Sequence, residues 1–479
     1  MSQQIDDETT ALAPRQSSSD ARSVGEIKDS LGWSTYQWRL YAITGFCVMA
    51  ESLEVGLLSF LTNEGKLEWN LSQSMANNIA GAVFAGEIVG CIAFGVFADW
   101  RGRKPAFAVG IALVTACGLA SCLSRNVTEL ILARFGVGVG IGGFSVPYDL
   151  LCEFCPNVSR GTAMASLWMF FALGSVLVVQ IAAATLESQG WRWLCFYCAI
   201  PPGLSALGLF WVDESPAWLV VKGRRVEAEE ILNKAAKMNK VNLGPLEIER
   251  VEIGHLDVSI LFTNGAALTT FCLWIMSFVQ CFSYYGIVMF LPHAMQVLTG
   301  HTSEATVVTT AAGETEMRYP YWALTASCVG EITANVILLL VINSFPRGKL
   351  ASFFFFGFAV MFSVMVSEVI DSVMVLCAML ARLCAANAGN ITWLATPEAY
   401  PTQVRATGHS WANLIARSGA LCATYWASQD DTILVATGFG VMAVVASVAA
   451  FNLPPGVMPG SNPLADSLLF ASGERVKVS

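Results

Sequence analysis

Charge is what this sequence has least of. Asp, Glu, Lys and Arg make up only 13% of its 479 residues, against about 25% in an ordinary soluble domain. A water-exposed globule of this size would need far more polar surface, so that class is excluded. Histidine is nearly absent: His255, His293, His301 and His409 are the full set. There is no His-Glu-x2-His run and no phosphate-cradling glycine loop. An enzyme is therefore not expected, nor a metal or a cofactor. No basic stripe interleaved with aromatics lies outside the loops, which argues against nucleic acid as a partner. Residues 1–38 contain no apolar run of the kind a cleavable signal requires, so the first span is expected to be its own insertion signal.

What is abundant is apolar. Hydrophobic residues make up 55% of the chain before its 40 glycines are counted. Between 39 and 452 they fall into about twelve blocks of roughly 17–25 residues, the length that crosses a bilayer. A backbone in lipid must satisfy its own hydrogen bonds, which makes each block a helix. The expected fold is all-α and polytopic, with about twelve transmembrane helices and the lipid bilayer as its solvent. The 14 cysteines sit mostly inside these blocks, where they act as small hydrophobes. Cys152-x2-Cys155 and Cys195-x2-Cys198 have metal-knuckle spacing but no histidine nearby.

With alternating loops, the bases collect on one side: Arg101, Arg103, Lys104, Arg160, the 222–240 lysines and arginines, Arg347, Lys349 and Arg405. The other side holds mainly acids. That asymmetry places both termini in the cytoplasm, in a plasma or organelle membrane. The expected organisation is a tail (1–38), a six-helix bundle (39–212), a linker (213–262), a second bundle (263–452) and a tail (453–479). The linker carries an amphipathic pattern at Val226, Ile231, Leu232 and Ala235.

The halves repeat. Glu153-x2-Pro156-x3-Arg160 recurs 245 residues later as Glu398-x2-Pro401-x3-Arg405, and Gly174 and Gly419 keep that offset. Arg134 and Arg382 each stand upstream in a glycine-containing apolar span. Parallel repeats imply two pseudo-symmetric six-helix bundles with a solute path between them. A charged hairpin, Gly95-Val96-Phe97-Ala98-Asp99-Trp100-Arg101-Gly102-Arg103-Lys104, joins the second and third blocks. Such a knot is tolerable only at the membrane–water interface. Asp99 can pair with Arg103 or with the neighbouring bundle, and Glu153 with Arg160 offers a second ion-pair set. The matching second-half hairpin, Asn343 to Lys349, lacks the acid, so its charge lock is expected to be weaker and the gate asymmetric.

This hairpin resembles the signature loop of the major facilitator superfamily. Arg134 with Gly136, Gly138 and Gly140 is similar to that superfamily's fourth-span motif. Glu214-Ser215-Pro216-Ala217-Trp218-Leu219 and Pro397-Glu398-x-Tyr400-Pro401 resemble its segments after spans six and ten, although Ala217 stands where an arginine is usual. Ala50-Glu51-Ser52-Leu53-Glu54 is similar to the organic-ion and synaptic-vesicle-glycoprotein-like branch, which usually has aspartate at the position of Glu51. The resemblance covers essentially all of 39–452. It implies alternating access, with Gly95, Asp99, Arg101, Gly102, Arg103, Lys104, Glu153, Arg160, Glu398 and Arg405 in gating motifs.

Intramembrane charges are the default sites for solute or proton. Glu51 and Glu54, three apart, share a helix face and would resist ionising together. They suit proton coupling or the counter-charge of a cation. Glu87, Arg134, Glu331 and Arg382 are further candidates, with Arg134 expected to support Glu51. Either arginine could instead bind an anion. Tyr284 and Tyr285, with Tyr148, Trp168, Trp393 and Trp411, could line an aromatic cavity. The expected activity is secondary or facilitative transport of a small organic solute, an organic ion in the first instance. Proton symport and facilitated diffusion both stay open, and a monomer is the expected state. A sugar-type uniporter and a transporter-like protein that binds without transporting are the alternatives.

Overall fold

The computed structural model describes residues 22–244, 248, 261–262, 266–298, 307–309, 315–317, 319, 321–342, 344–367, 371–400, 405–429 and 431–453. Three short helices lie outside the spans: α1 (Val24–Leu31) and, later, two between the halves. The first half then runs α2 (Thr35–Glu68), α3 (Gln73–Arg101), α4 (Arg103–Cys122), α5 (Val127–Gly142), α6 (Ser145–Phe154), α7 (Asn157–Gln189), α8 (Trp191–Cys198) and α9 (Ile200–Gly208). Helices α5 and α6 form one broken span, as do α8 and α9. Next come α10 (Pro216–Val221) and the linker helix α11 (Arg225–Asn239). The second half is α12 (Ala266–Leu298), α13 (Tyr321–Val341), α14 (Arg347–Val366), α15 (Asp371–Ala399), α16 (Arg405–Trp426) and α17 (Thr432–Phe451).

Eleven of these spans are long and apolar enough to cross a bilayer. The twelfth, α16, is less apolar because Arg405, His409, Asn413 and Arg417 interrupt it. The all-α, two-bundle architecture therefore holds. One small addition is a strand pair, β1 (Val307–Thr309) and β2 (Thr315–Met317), antiparallel with Val308 opposite Glu316. A second addition is α1, which lies inside the stretch expected to be a plain tail. Its Ile27 and Leu31 are buried, and its Asp29 accepts from the Asn157 backbone N–H at 2.6 Å, capping α7. The linker's apolar stripe holds at Leu232 and Ala235, joined by Ala228 and Ala236 of α11, while Ile231 is partly buried and Val226, at the start of the helix, is exposed.

The first bundle is drawn tight by small residues. A Cβ on Gly138 would run into the Val83 backbone, one on Gly90 into the Val139 carbonyl, and one on Gly142 into the backbone of Glu87 and Cys91. Helices α3 and α5 thus touch backbone to backbone, the arrangement lipid-embedded helices use when no hydrophobic force drives them together. Gly95, by contrast, has nothing within 4 Å of such an atom. Gly138→Val should cost about 1–3 kcal/mol through overpacking, read as a lower unfolding temperature in detergent. Gly95→Ala should leave that temperature unchanged, and equal losses in both would refute the close approach.

Candidate functional site

The membrane core of the protein holds a small, closed set of charges. Arg417 of α16 is buried and forks toward the first half: Nη2 lies 2.8 Å from Glu51 Oε1 and Nη1 lies 2.9 Å from Glu87 Oε2. The same Nη1 donates to the Tyr285 hydroxyl at 3.0 Å. One guanidinium of the second half therefore holds two carboxylates of the first. Arg134 pairs with Glu54 at 2.6 Å, and Ser121 accepts from its Nε and Nη2. Arg382 pairs with Glu331, which also accepts from the Tyr284 hydroxyl at 2.6 Å and from Ser175 of α7. Breaking a buried pair by removing one partner leaves a naked charge in low dielectric, so all three arginines hold structure as well as charge.

This grouping corrects two expectations. Glu51 and Glu54 do not share a site, because each has its own arginine on a different neighbour. Arg134 supports Glu54 rather than Glu51. The carboxylate that shares a cation with Glu51 is Glu87, and the shared cation is Arg417, which the sequence reading passed over. Its signal was available: His409, Asn413 and Arg417 recur at four-residue spacing on one face of a nominally apolar span.

Between the bundles lies a cavity of about 60 Å³, walled by Glu51, Glu331 and Arg417, the aromatic rings of Trp168, Phe171, Tyr284, Tyr285 and Trp393, and the amides of Gln280, Asn335 and Asn390. Tyr148 sits behind Trp393, with ring centres 6.5 Å apart. Trp411 does not reach this space. It lines a separate cleft of about 350 Å³, where Ser410, Trp411 and Leu414 of α16 face Cys91, Gly95 and Asp99 of α3. At the opposite end the halves are closed together: Asn77 donates to Ser428 at 2.6 Å, Gln180 to Thr325 at 2.7 Å and Tyr425 to Asn78 at 3.1 Å. The molecule is sealed at that end and parted at the hairpin end.

The hairpin itself is locked inside the first half. Arg103 pairs with Asp99 at 2.7 Å and lies 3.7 Å from Glu153. Gly102 adopts φ +112°, and the N–H groups of Arg103 and Lys104 that follow it donate to Glu214. Glu214 is thus the cap of α4, a charged acceptor at the positive end of a helix. Trp218 donates to the Asp99 carbonyl at 3.0 Å, and Arg101 stacks on Trp100. Among the described residues no ion pair joins Glu153 to Arg160, which overturns that expected pairing. The second-half hairpin is better locked than expected. Arg347 pairs with Glu398 at 3.0 Å, the counterpart of Arg103 with Glu153, so the missing acid does not remove the lock. Asn343 and the side chain of Arg405 lie outside the described residues. No described ion pair crosses between the halves at this end.

The sugar (and other) transporter profile matches residues 27–453. The synaptic vesicle 2-related protein of Pongo abelii is 28% identical over 445 residues, covering 91% of this chain and 81% of that protein. The organic cation/carnitine transporter 7 of Arabidopsis thaliana is 26% identical over 437 residues, covering 83% and 86% respectively. Among solved structures, the inward-open xylose transporter XylE from E. coli aligns with a TM-score of 0.66 at 17% identity, covering 90% of this chain and 98% of that one.

Arg417→Leu should destabilise the protein by roughly 3–5 kcal/mol, because two buried carboxylates lose their cation. Adding Glu87→Gln to it should recover part of the loss in a detergent melting experiment. Equal melting of wild type and Arg417→Leu would show that the fork carries no weight.

Proposed function

This chain belongs to the sugar (and other) transporter family of the major facilitator superfamily, and from that premise we propose that it exchanges a small organic cation for protons by alternating access. One observation carries the reading. Among the described residues the membrane core holds four buried glutamates against three buried arginines, and the excess carboxylate is at the Arg417 fork. Two carboxylates sharing one guanidinium in low dielectric need a further positive charge. A proton supplies it when the site is empty of solute, and a cation supplies it when the solute binds. Because both answer the same deficit, binding one releases the other, which favours exchange over symport.

The cavity chemistry agrees. Five aromatic rings beside Glu51 and Glu331 suit an organic cation, whose charge gains from ring faces and from a carboxylate. The Arabidopsis relative's name, an organic cation/carnitine transporter, is in keeping with that class. At about 60 Å³ the cavity holds waters rather than a solute, so the bundles must part further on the hairpin side for loading. The pairs Arg103–Glu153 and Arg347–Glu398 would hold each half rigid while it rocks. The amides Gln280, Asn335 and Asn390 favour a second reading, a polyol uniporter, since carboxamides match hydroxyl groups.

Proteoliposomes with an acidic lumen decide between them. Wild type should accumulate labelled tetraethylammonium, driven by the outward proton gradient, and should not accumulate xylose. Glu87→Gln should reduce gradient-driven accumulation at least about tenfold while sparing tetraethylammonium self-exchange. Unaltered pH dependence in both Glu51→Gln and Glu87→Gln would overturn the exchange reading. Xylose equilibration without cation uptake would favour the uniporter.

A further inference from the structure

We infer that α16 carries a hydrated polar track from Arg417 to the hairpin end, with a single-water site between His409 and Asn413 as its midpoint. The use of that track by protons rests on the exchange reading above; the water site does not. His409, Asn413 and Arg417 stand four residues apart, so their side chains form one stripe along the helix. Beside the lower two is a pocket of about 10 Å³, close to the space one water needs (about 10–15 Å³).

Its walls are polar on three helices: Ser277 and Gln280 on α12, Thr392 and Thr396 on α15, His409 and Asn413 on α16. Asn413 is buried, and its amide oxygen has no hydrogen-bond partner among the described residues. Leaving an acceptor so deep without a donor is costly, and a water is the donor that fits the volume. The Thr392 and Thr396 hydroxyls donate to the carbonyls of Ala388 and Thr392, which leaves their lone pairs free to accept from the same water. Among the described residues no Asp, Glu, Lys or Arg lines the pocket, and His409 is the titratable group in its wall.

The pocket connects upward. Gln280 and Trp393 line both it and the central cavity, and the Trp393 ring lies 4.9 Å from the His409 ring. Below it, Ser410 and Trp411 of the same helix line the open cleft at the hairpin end, which shares no wall residue with the pocket, so the track must pass around α16 from His409 to reach it. An imidazole accepts on one nitrogen and donates on the other, so it can pass a proton between two waters without turning over. Protons released at the Glu51–Glu87 fork would leave by this route while the solute path above it is filled.

Two measurements test this. Millisecond radiolytic footprinting of the full-length protein in detergent oxidises buried side chains only where a bound water is within reach. His409 should label about fivefold faster than the fully buried Phe358. Asn413→Leu, which fills the pocket, should slow His409 labelling several-fold with the elution profile unchanged, while Trp393, which also faces the central cavity, keeps its wild-type rate. Background labelling of His409 in wild type, or labelling that Asn413→Leu leaves unchanged, would overturn the water site. In pyranine-loaded, acid-interior vesicles, His409→Phe should slow proton release on addition of tetraethylammonium at least about tenfold while sparing its self-exchange. Unchanged proton release would overturn the relay. If wild type fails to carry tetraethylammonium at all, the proposed function falls, and the footprint alone still decides the water site.

Discussion

One guanidinium ties the two halves together at the level of the membrane core. Arg417 enters from the second bundle and meets Glu51 and Glu87 from two helices of the first. In water such an arrangement would be worth little, but in a buried site removal of any member leaves a charge that nothing solvates. The close backbone packing of α3 on α5 follows from the same constraint. Glu87 stands on α3 beside Gly86 and Gly90, and only glycines there let α5 approach without displacing the carboxylate. Position and packing are one requirement.

The internal repeat makes this easier to see, because it shows what each half did with equivalent residues. Glu87 and Glu331 occupy matching places, 244 residues apart, but Arg382 follows Arg134 by 248 and so stands about one helical turn beyond its counterpart. In the second half Arg382 bonds Glu331, with Ser175 reaching across from the first. In the first half Arg134 and Glu87 do not meet. Arg134 turns to Glu54, and Glu87 is left to find its cation across the interface. The residue that matches Arg417 in the first half, 245 positions earlier, is Ala172. A symmetric duplication has thus become a charge-asymmetric one. The surplus acid appears where the symmetry is broken, at the place the proposed exchange would use.

The sequence alone made the scaffold legible. Twelve apolar blocks, a charged hairpin and a repeated Glu-x2-Pro-x3-Arg are patterns of spacing, and spacing survives without coordinates. The partners within the site were less legible. Glu51 and Glu54 were singled out correctly as intramembrane acids, yet a separation of three residues says only that they share a broad face. A helix is narrow enough for two such side chains to meet different neighbours. Arg417 was missed because it sits in a span read as a hydrophobic block, where the average hides a polar stripe. Glu214 was seen as part of a motif, but its role as the cap of α4 depends on the fold bringing a segment 110 residues away to one hairpin.

The strengths of these contacts also indicate which parts can move. The end away from the hairpin is held, among the described residues, by three neutral hydrogen bonds, Asn77 to Ser428, Gln180 to Thr325 and Tyr425 to Asn78, each worth about 0.5–1.5 kcal/mol net. A fourth, from the Tyr319 hydroxyl to the Glu64 carboxylate at 3.1 Å, is charge-assisted. The central fork is far costlier to break, and the hairpin locks are internal to each half. Alternation that opened the sealed end would therefore give up these four contacts and could spare the central fork. Helices α3 and α16 already touch at one end and part at the other, with Arg417 between. A rocking motion about that residue would change the ends and spare the middle. On the proposed exchange mechanism the same residue would set the charge balance of the site and mark its pivot, so that occupancy of the fork and orientation of the bundles would be coupled through one side chain.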